Sequence, residues 1–194
     1  MKYKHILAID PSGNFTEGKG TTGWVLMNYK EKLIARGHLS ADNYQCAEHY
    51  WDAHKELIEF NYEKYGDTLI VVIEDYVLYR DRSINQTNSK METCRLIGLL
   101  LWTCWNLKLP YTLQLAASVK QRWSDDLLER EHILFKHRNR YTHTDSGMSM
   151  DLIHTRDAFR HAIHYAVCRN KEERKPTHTQ WKGAFNGYRS NYQS

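Results

Sequence analysis

Two short apolar runs, each closed by a carboxylate, restrict the folds open to this chain. Ile6-Leu7-Ala8-Ile9 ends at Asp10, and Leu69-Ile70-Val71-Val72-Ile73 ends at Glu74. Runs of this kind predict strands buried on both faces, which need a sheet covered by helices on either side. Open α/β sheets place their ligands at the carboxyl ends of such strands, and two acids there converge if the strands are neighbours. The expectation is an α/β domain with a metal-dependent, acid-lined active site.

The remaining elements fit that class. Lys4 to Asp10 reads as the first strand and Pro11 to Thr22 as a loop, followed by a meander of Trp24 to Tyr29 and Leu33 to Leu39. Ala47, Tyr50, Trp51, His54, Leu57, Ile58, Tyr62 and Tyr65 recur at helical spacing, so Asn43 to Tyr65 is expected to be an amphipathic helix. Leu69 to Ile73 is a central strand. Lys90 to Asn106 is apolar nearly all round and predicts a buried helix, within which Trp102 and Trp105 suit core packing or a dimer seam. Tyr111 to Leu115 is a short strand. Ala117 to Trp123 and Asp125 to Lys136 are expected to be helical, Arg138 to Ser149 a loop, and Met150 to Cys168 the last helix.

A chain of 194 residues with 41% hydrophobic content supports one substantial core. The expected division is a domain over residues 1–168 and a tail over 169–194. That tail holds six basic residues against two acidic ones, a surplus of +4 that equals the formal charge of the whole chain and leaves the body neutral. Trp181, Phe185, Tyr188 and Tyr192 punctuate it, a pattern that suits a nucleic acid or an extension packed back on the domain. The start, Met1-Lys2-Tyr3-Lys4, lacks the features of a secretory signal, and the longest apolar stretch, Leu96 to Trp105, is too short to span a membrane. A soluble intracellular protein is expected. Cys46, Cys94, Cys104 and Cys168 lie far apart without a Cys-x-x-Cys pair, so reduced, mostly buried thiols are expected.

A third carboxylate stands in the last helix. His154, Asp157 and His161 are spaced three and four apart and share one face, continued by His164. That face either coordinates a divalent metal or is the solvated side of a helix whose Ala158, Ala162, Ile163 and Ala166 point inward. Its combination with Asp10 and Glu74 favours the metal. Two divalent ions about 3.5–4 Å apart support in-line phosphodiester hydrolysis, and hard oxygen ligands select Mg²⁺ or Mn²⁺ over Zn²⁺.

Ala8-Ile9-Asp10-Pro11-Ser12-Gly13, Thr22-Gly23-Trp24, Val72-Ile73-Glu74-Asp75-Tyr76, Ser118-Val119-Lys120 and His154-Thr155-Arg156-Asp157-Ala158 follow one another in that order. Together they resemble the RuvC-like Holliday-junction resolvases, the phage-encoded branch in particular, from about Tyr3 to Cys168. The resemblance implies a ribonuclease H-like fold, with a central mixed five-stranded sheet flanked by helices on both faces. It also implies a homodimer, in the cytoplasm of a bacterium or a phage-infected host, that cuts four-way junctions and other branched DNA with two Mg²⁺ or Mn²⁺ ions per active site. By position, Asp10 bridges the ions, Glu74 and Asp157 complete their shells, and His154 is a ligand or orients the water. Lys120 lies near the scissile phosphate, and Tyr76 or Tyr79 stacks on unpaired bases.

Two departures from the family pattern stand out. Asn14 to Gly20 lengthens the loop beside Asp10, and Gln121-Arg122-Trp123-Ser124-Asp125-Asp126 replaces a glycine-rich basic segment, so cleavage of branches in general is also open. Arg80, Arg82 and Lys90, and separately Lys136, His137, Arg138 and Arg140, form basic clusters that either grip phosphates or are solvated loops. His5, His38, His49, His54, His132 and His143 have no consistent metal spacing and receive no role. Related acids would serve a ribonuclease H-type enzyme acting on RNA–DNA hybrids. The Asp10-Pro11-Ser12-Gly13 loop also resembles that of actin-like ATPases, which generally need a second domain. A non-catalytic branched-DNA-binding protein is a further alternative, disfavoured because all the expected acids are present.

Overall fold

A computed structural model describes residues 3–30, 32–76 and 91–168. The 169–194 tail, and Tyr79, Arg80, Arg82 and Lys90, lie outside the described residues. Five strands form one sheet in the order β3-β2-β1-β4-β5. They are β1 (His5–Asp10), β2 (Thr21–Asn28), β3 (Leu33–Ser40), β4 (Leu69–Asp75) and β5 (Tyr111–Leu115). Pairing is antiparallel in the β1-β2-β3 meander and parallel from β1 to β4 and β4 to β5, so the sheet is mixed as expected.

Period-two alternation within the continuous apolar runs builds two cores. Ile6, Ala8, Val25, Met27, Ile70 and Val72 point to one face, where they pack with Ala158, Phe159, Ala162 and Ile163 of the last helix, α5 (Ile153–Cys168). Leu7, Ile9, Leu26, Val71 and Ile73 point to the other. There they meet Ile58 of α1 (Ala47–Tyr65) and Ile97, Leu100 and Cys104 of α2 (Glu92–Asn106). Helices thus cover both faces. No described helix is long and apolar enough to cross a membrane. All four cysteines are unpaired, with Cys104 buried and the others half-buried.

Three expectations need correction. The helix expected over Asp125 to Lys136 is only a short α4 (Asp125–Arg130), following α3 (Ala116–Arg122). The chain turns at His132, which has a positive φ of 56°, and enters a hairpin of β6 (Leu134–His137) and β7 (Arg140–His143) in place of the expected loop. Helix α2 is not buried all round: it buries Leu96, Ile97, Leu100 and Cys104 but leaves Trp102 and Trp105 56% and 51% exposed. Of the two alternatives for the histidine-carboxylate face of α5, the disfavoured solvated side is not what the helix presents over the stretch from Thr155 to Ile163. Every residue there is buried, because side chains from β4, β5 and α4 satisfy its polar groups.

Candidate active site

Asp10 and Glu74 end neighbouring parallel strands, with Ile9 opposite Ile73, so their side chains leave the sheet side by side. Asp157 reaches them from α5, which needs an unusually close approach of helix to sheet. Gly23 pairs with Asp10 on β2, and a Cβ there would lie 2.1 Å from the His154 carbonyl carbon. Only glycine admits the helix. As a result, carboxylate oxygens of Asp10, Glu74 and Asp157 all lie within 4.8 Å of one another.

Three buried or half-buried acids repel unless cations offset them. His154 Nδ1 is 2.8 Å from Asp10 Oδ2, and Lys120 Nζ is 2.8 Å from Asp157 Oδ2 and 3.7 Å from Glu74 Oε2. The Arg160 guanidinium bridges Asp157 and Asp125, while its Nε donates to the Trp123 carbonyl at 2.9 Å. His161 has no exposed surface, and its Nε2 donates to Glu74 Oε2 at 2.9 Å. Its Nδ1 is 2.8 Å from the amide oxygen of Gln114, which stands opposite Glu74 in the β4–β5 register.

These contacts set the protonation equilibria. Burial pushes the Asp10 carboxyl above its usual range; the His154 hydrogen bond opposes this, and the Glu74 and Asp157 charges add to it. Burial also acts to raise Glu74, but the His161 hydrogen bond and charge, with the Lys120 ammonium, outweigh it and hold the carboxyl low. Burial disfavours the Lys120 charge, yet its contact with Asp157 raises the group overall. His154 is raised chiefly by its hydrogen bond to Asp10.

The loop after Asp10 is held at both ends. Ser12 N–H donates to Thr22 Oγ1 at 3.0 Å, and the Tyr50 hydroxyl donates to the Ser12 carbonyl at 2.7 Å. Behind them, His54 lies 2.6 Å from the Tyr50 carbonyl through Nδ1 and 2.7 Å from Thr22 Oγ1 through Nε2. The carbonyl can only accept, so Nδ1 carries the proton and the Thr22 hydroxyl donates to Nε2. The longer stretch Asn14 to Gly20 docks on the start of α2: Gly13 N–H donates to Thr93 Oγ1 at 3.1 Å, and Thr16 N–H to Glu92 Oε2 at 3.1 Å.

Of the expected site residues, the structure brings together Asp10, Glu74, His154, Asp157 and Lys120. Tyr76 is half-buried against the α1/α2 core. Lys136 sits 4.0 Å from Glu129 and over the Tyr141 ring, and Arg138 and Arg140 are exposed at the hairpin turn. Of the supporting residues, His161 was expected on the face shared with His154 and Asp157, whereas no site role was expected for Gln114, Arg160 and His54. The i,i+4 spacing from Asp157 was a usable signal for His161; Gln114 and His54 had none without the strand register and helix placement. Buried hard-oxygen donors at this separation fit a divalent ion held by Asp10, Glu74 and Asp157, with His154 beside them.

No protein-family model matches this sequence, and no curated protein matches it. Among solved structures, the chain is similar to Thermus thermophilus RuvC in complex with a Holliday junction substrate, with a TM-score of 0.65 at 14% identity over 90% of this chain and 99% of that one. A second Thermus thermophilus RuvC structure matches with a TM-score of 0.58 at 14% identity, over 86% and 96%. The chain therefore has the RuvC, ribonuclease H-like fold.

Proposed function

We propose that this protein is a structure-selective DNA endonuclease that hydrolyses phosphodiester bonds in Holliday junctions and other branched DNA. The observation that carries this reading is the convergence of Asp10, Glu74 and Asp157 on one end of the sheet, with the half-exposed Lys120 paired to two of them. The Thermus thermophilus structure with a Holliday junction substrate supports the choice of branched DNA.

Asp10, Glu74 and Asp157 hold the divalent ions, Mg²⁺ or Mn²⁺, and His154 either ligates or fixes the Asp10 carboxylate. Two such ions, when bound, supply water activation and leaving-oxygen stabilisation. The protein's own groups do the positioning. His161 fixes Glu74, Arg160 fixes one oxygen of Asp157, and the Thr22-Tyr50-His54 network fixes the backbone that follows Asp10. The Lys120 ammonium, 42% exposed, faces the side from which a phosphate arrives and offsets charge developing on it. Tyr76, Tyr79, Arg80, Arg82 and Lys90 follow β4 in sequence and supply stacking and phosphate contacts, as do Lys136, Arg138 and Arg140 from the hairpin. Symmetric cutting of a four-way junction needs two sites, so the working form is a homodimer.

The test is digestion of labelled four-way junction, 5′ flap, linear duplex and RNA–DNA hybrid, with and without Mg²⁺. Metal-dependent nicking of the branched DNAs alone supports the reading. Preferential cutting of the hybrid would replace it with a ribonuclease H-type activity, and binding without cutting with a non-catalytic role.

A further inference from the structure

The β6–β7 hairpin has two dissimilar faces. On the inner one, Leu134, Tyr141 and His143 are buried. The Tyr141 ring lies 4.3 Å under the Arg156 guanidinium, and His143 meets Phe159 edge-on at 5.3 Å, so this face packs on α5 at residues flanking Asp157. The Tyr141 N–H donates to Asp151 Oδ1 at 2.7 Å and ties the hairpin to the entry of the same helix. On the outer face the cross-strand pairs are Phe135 with Thr142 and His137 with Arg140. Phe135 is 60% exposed, and Arg138 and Arg140 are exposed beside it at the turn. Neither arginine forms an ion pair among the described residues; Arg140 reaches Asp151 only through its field. A hollow of about 440 Å³ opens at the foot of the hairpin, lined by Glu129, His132, Phe135, Lys136, Thr142 and Thr144.

We propose that this hairpin reads the branch: Arg138 and Arg140 hold DNA phosphates while Phe135 stacks on a base that the branch leaves without a neighbour, which enters the hollow. The inference rests on the branched-DNA reading above and adds a specificity element to it. Charge separates the two parts of the surface. The arginines at the tip suit a polyanion, whereas in the hollow the Lys136 ammonium is offset by Glu129 4.0 Å away, whose carboxylate accepts from base N–H groups. An aromatic ring gains by stacking only on a base face that is open. Continuous duplex covers those faces, and a branch point exposes them. The short, core-anchored hairpin keeps the ring from folding away, so the contact costs little ordering on binding.

The experiment measures affinity of the full-length protein for a fluorescent four-way junction and for linear duplex of equal length, in EDTA so that nothing is cut. Phe135→Ala is expected to weaken junction binding about tenfold and duplex binding hardly at all. Phe135→Trp should restore junction binding. Arg138→Ala with Arg140→Ala should weaken both DNAs and flatten the salt dependence. A 2-aminopurine placed at the branch should be quenched by wild type and by Phe135→Trp but not by Phe135→Ala. Wild-type affinity that is equal for the two DNAs overturns the branched-DNA reading and this inference with it. A junction preference that survives Phe135→Ala overturns the inference alone, as does a Phe135→Ala protein whose only change is its sedimentation, which assigns the face to a second copy of the chain.

Discussion

His161 hydrogen-bonds Glu74 from inside the protein, with no exposed surface of its own and 2.9 Å between Nε2 and Oε2. One turn earlier on the same helix, Asp157 faces the same carboxylate across the site. Helix α5 thus supplies both an acid and the group that aims the acid opposite, which couples the strand-end Glu74 to the helix rather than to solvent.

Removing that support is expected to loosen the metal site before it unfolds the protein. His161→Ala should lower Mn²⁺ affinity by roughly 10–100-fold, as loss of an outer-shell partner does. Titration calorimetry with Mn²⁺ measures it. The buried Gln114 amide also loses its partner, at a cost of about 1–3 kcal/mol in stability. Wild-type ion affinity in a folded variant would show that Glu74 needs no orienting partner.

The three acids should separate by stability even where they agree in activity. Asp10→Asn, Glu74→Gln and Asp157→Asn are each expected to abolish nicking and to preserve junction binding. Asp10 is held in a setting that burial and the neighbouring acids make hostile to its charge, so Asp10→Asn should keep or gain thermal stability. Asp157→Asn removes the charge that Lys120 and the buried Arg160 both pair with, leaving Arg160 to Asp125 and the Trp123 carbonyl, and should lose about 1–3 kcal/mol. Denaturant midpoints of the three variants check the order, and cutting by any of them in Mg²⁺ contradicts the assigned role.

How far the site could be read from residues alone follows from the range of each signal. The apolar runs before Asp10 and Glu74 declare doubly buried strands, and their parallel pairing makes the acids neighbours. Asp157 was legible through its spacing from His154. Its burial was not, because Arg156, Asp157, Arg160 and His161 read as a polar face until their partners on α4, β4 and β5 are known. The hairpin escaped for a different reason. Leu127, Leu128, Ile133 and Leu134 mimic helical spacing, four-residue strands give too little alternation to count, and the turn carries Arg138 at a φ of 56° where glycine or asparagine would have signalled it.

Gly23 should be intolerant of even a methyl group. A Cβ at this position meets His154 carbon, His154 oxygen and Thr155 nitrogen at 2.1 to 2.4 Å, and all three are backbone. No rotamer relieves that contact, so α5 must move away from β2 and carry Asp157 with it. Gly23→Ala is expected to cost about 3 kcal/mol, the upper end for overpacking, and to reduce cleavage further than its stability loss explains. Thermal melts and nicking rates at a temperature where the variant is folded measure both.

His54 makes stability depend on mildly acidic pH. Burial lowers its pKa from 6.5 to about 4, against the hydrogen bond that its Nδ1–H donates to the Tyr50 carbonyl, which acts to raise it. The unfolded chain therefore takes up a proton near pH 6.5 that the folded chain refuses until about pH 4. This contribution is fully present above 6.5 and is lost as pH falls towards 4, amounting to about 3 kcal/mol over that window. Urea unfolding at pH 7.5, 6, 5 and 4.5 should show the decline, and His54→Gln should flatten it. An equal slope in that variant would place the titration elsewhere.

The exposed tryptophans of α2 make the expected dimer testable without DNA. Trp102 and Trp105 stack on each other with ring centroids 5.2 Å apart and planes 20° apart, on the side of α2 turned away from the sheet. Stacking pre-orders the two rings, so a partner that covers them gains apolar burial with little further loss of side-chain freedom. Trp102→Arg with Trp105→Arg should leave the fold unchanged, since neither ring belongs to the buried cores. Sedimentation should then fall from dimer to monomer, and four-way junctions should be nicked on one strand at a time instead of cut symmetrically. A doubly substituted protein that still sediments as wild type would move the two-fold contact to another face, and the stacked pair would then be a surface feature with no part in symmetric cutting.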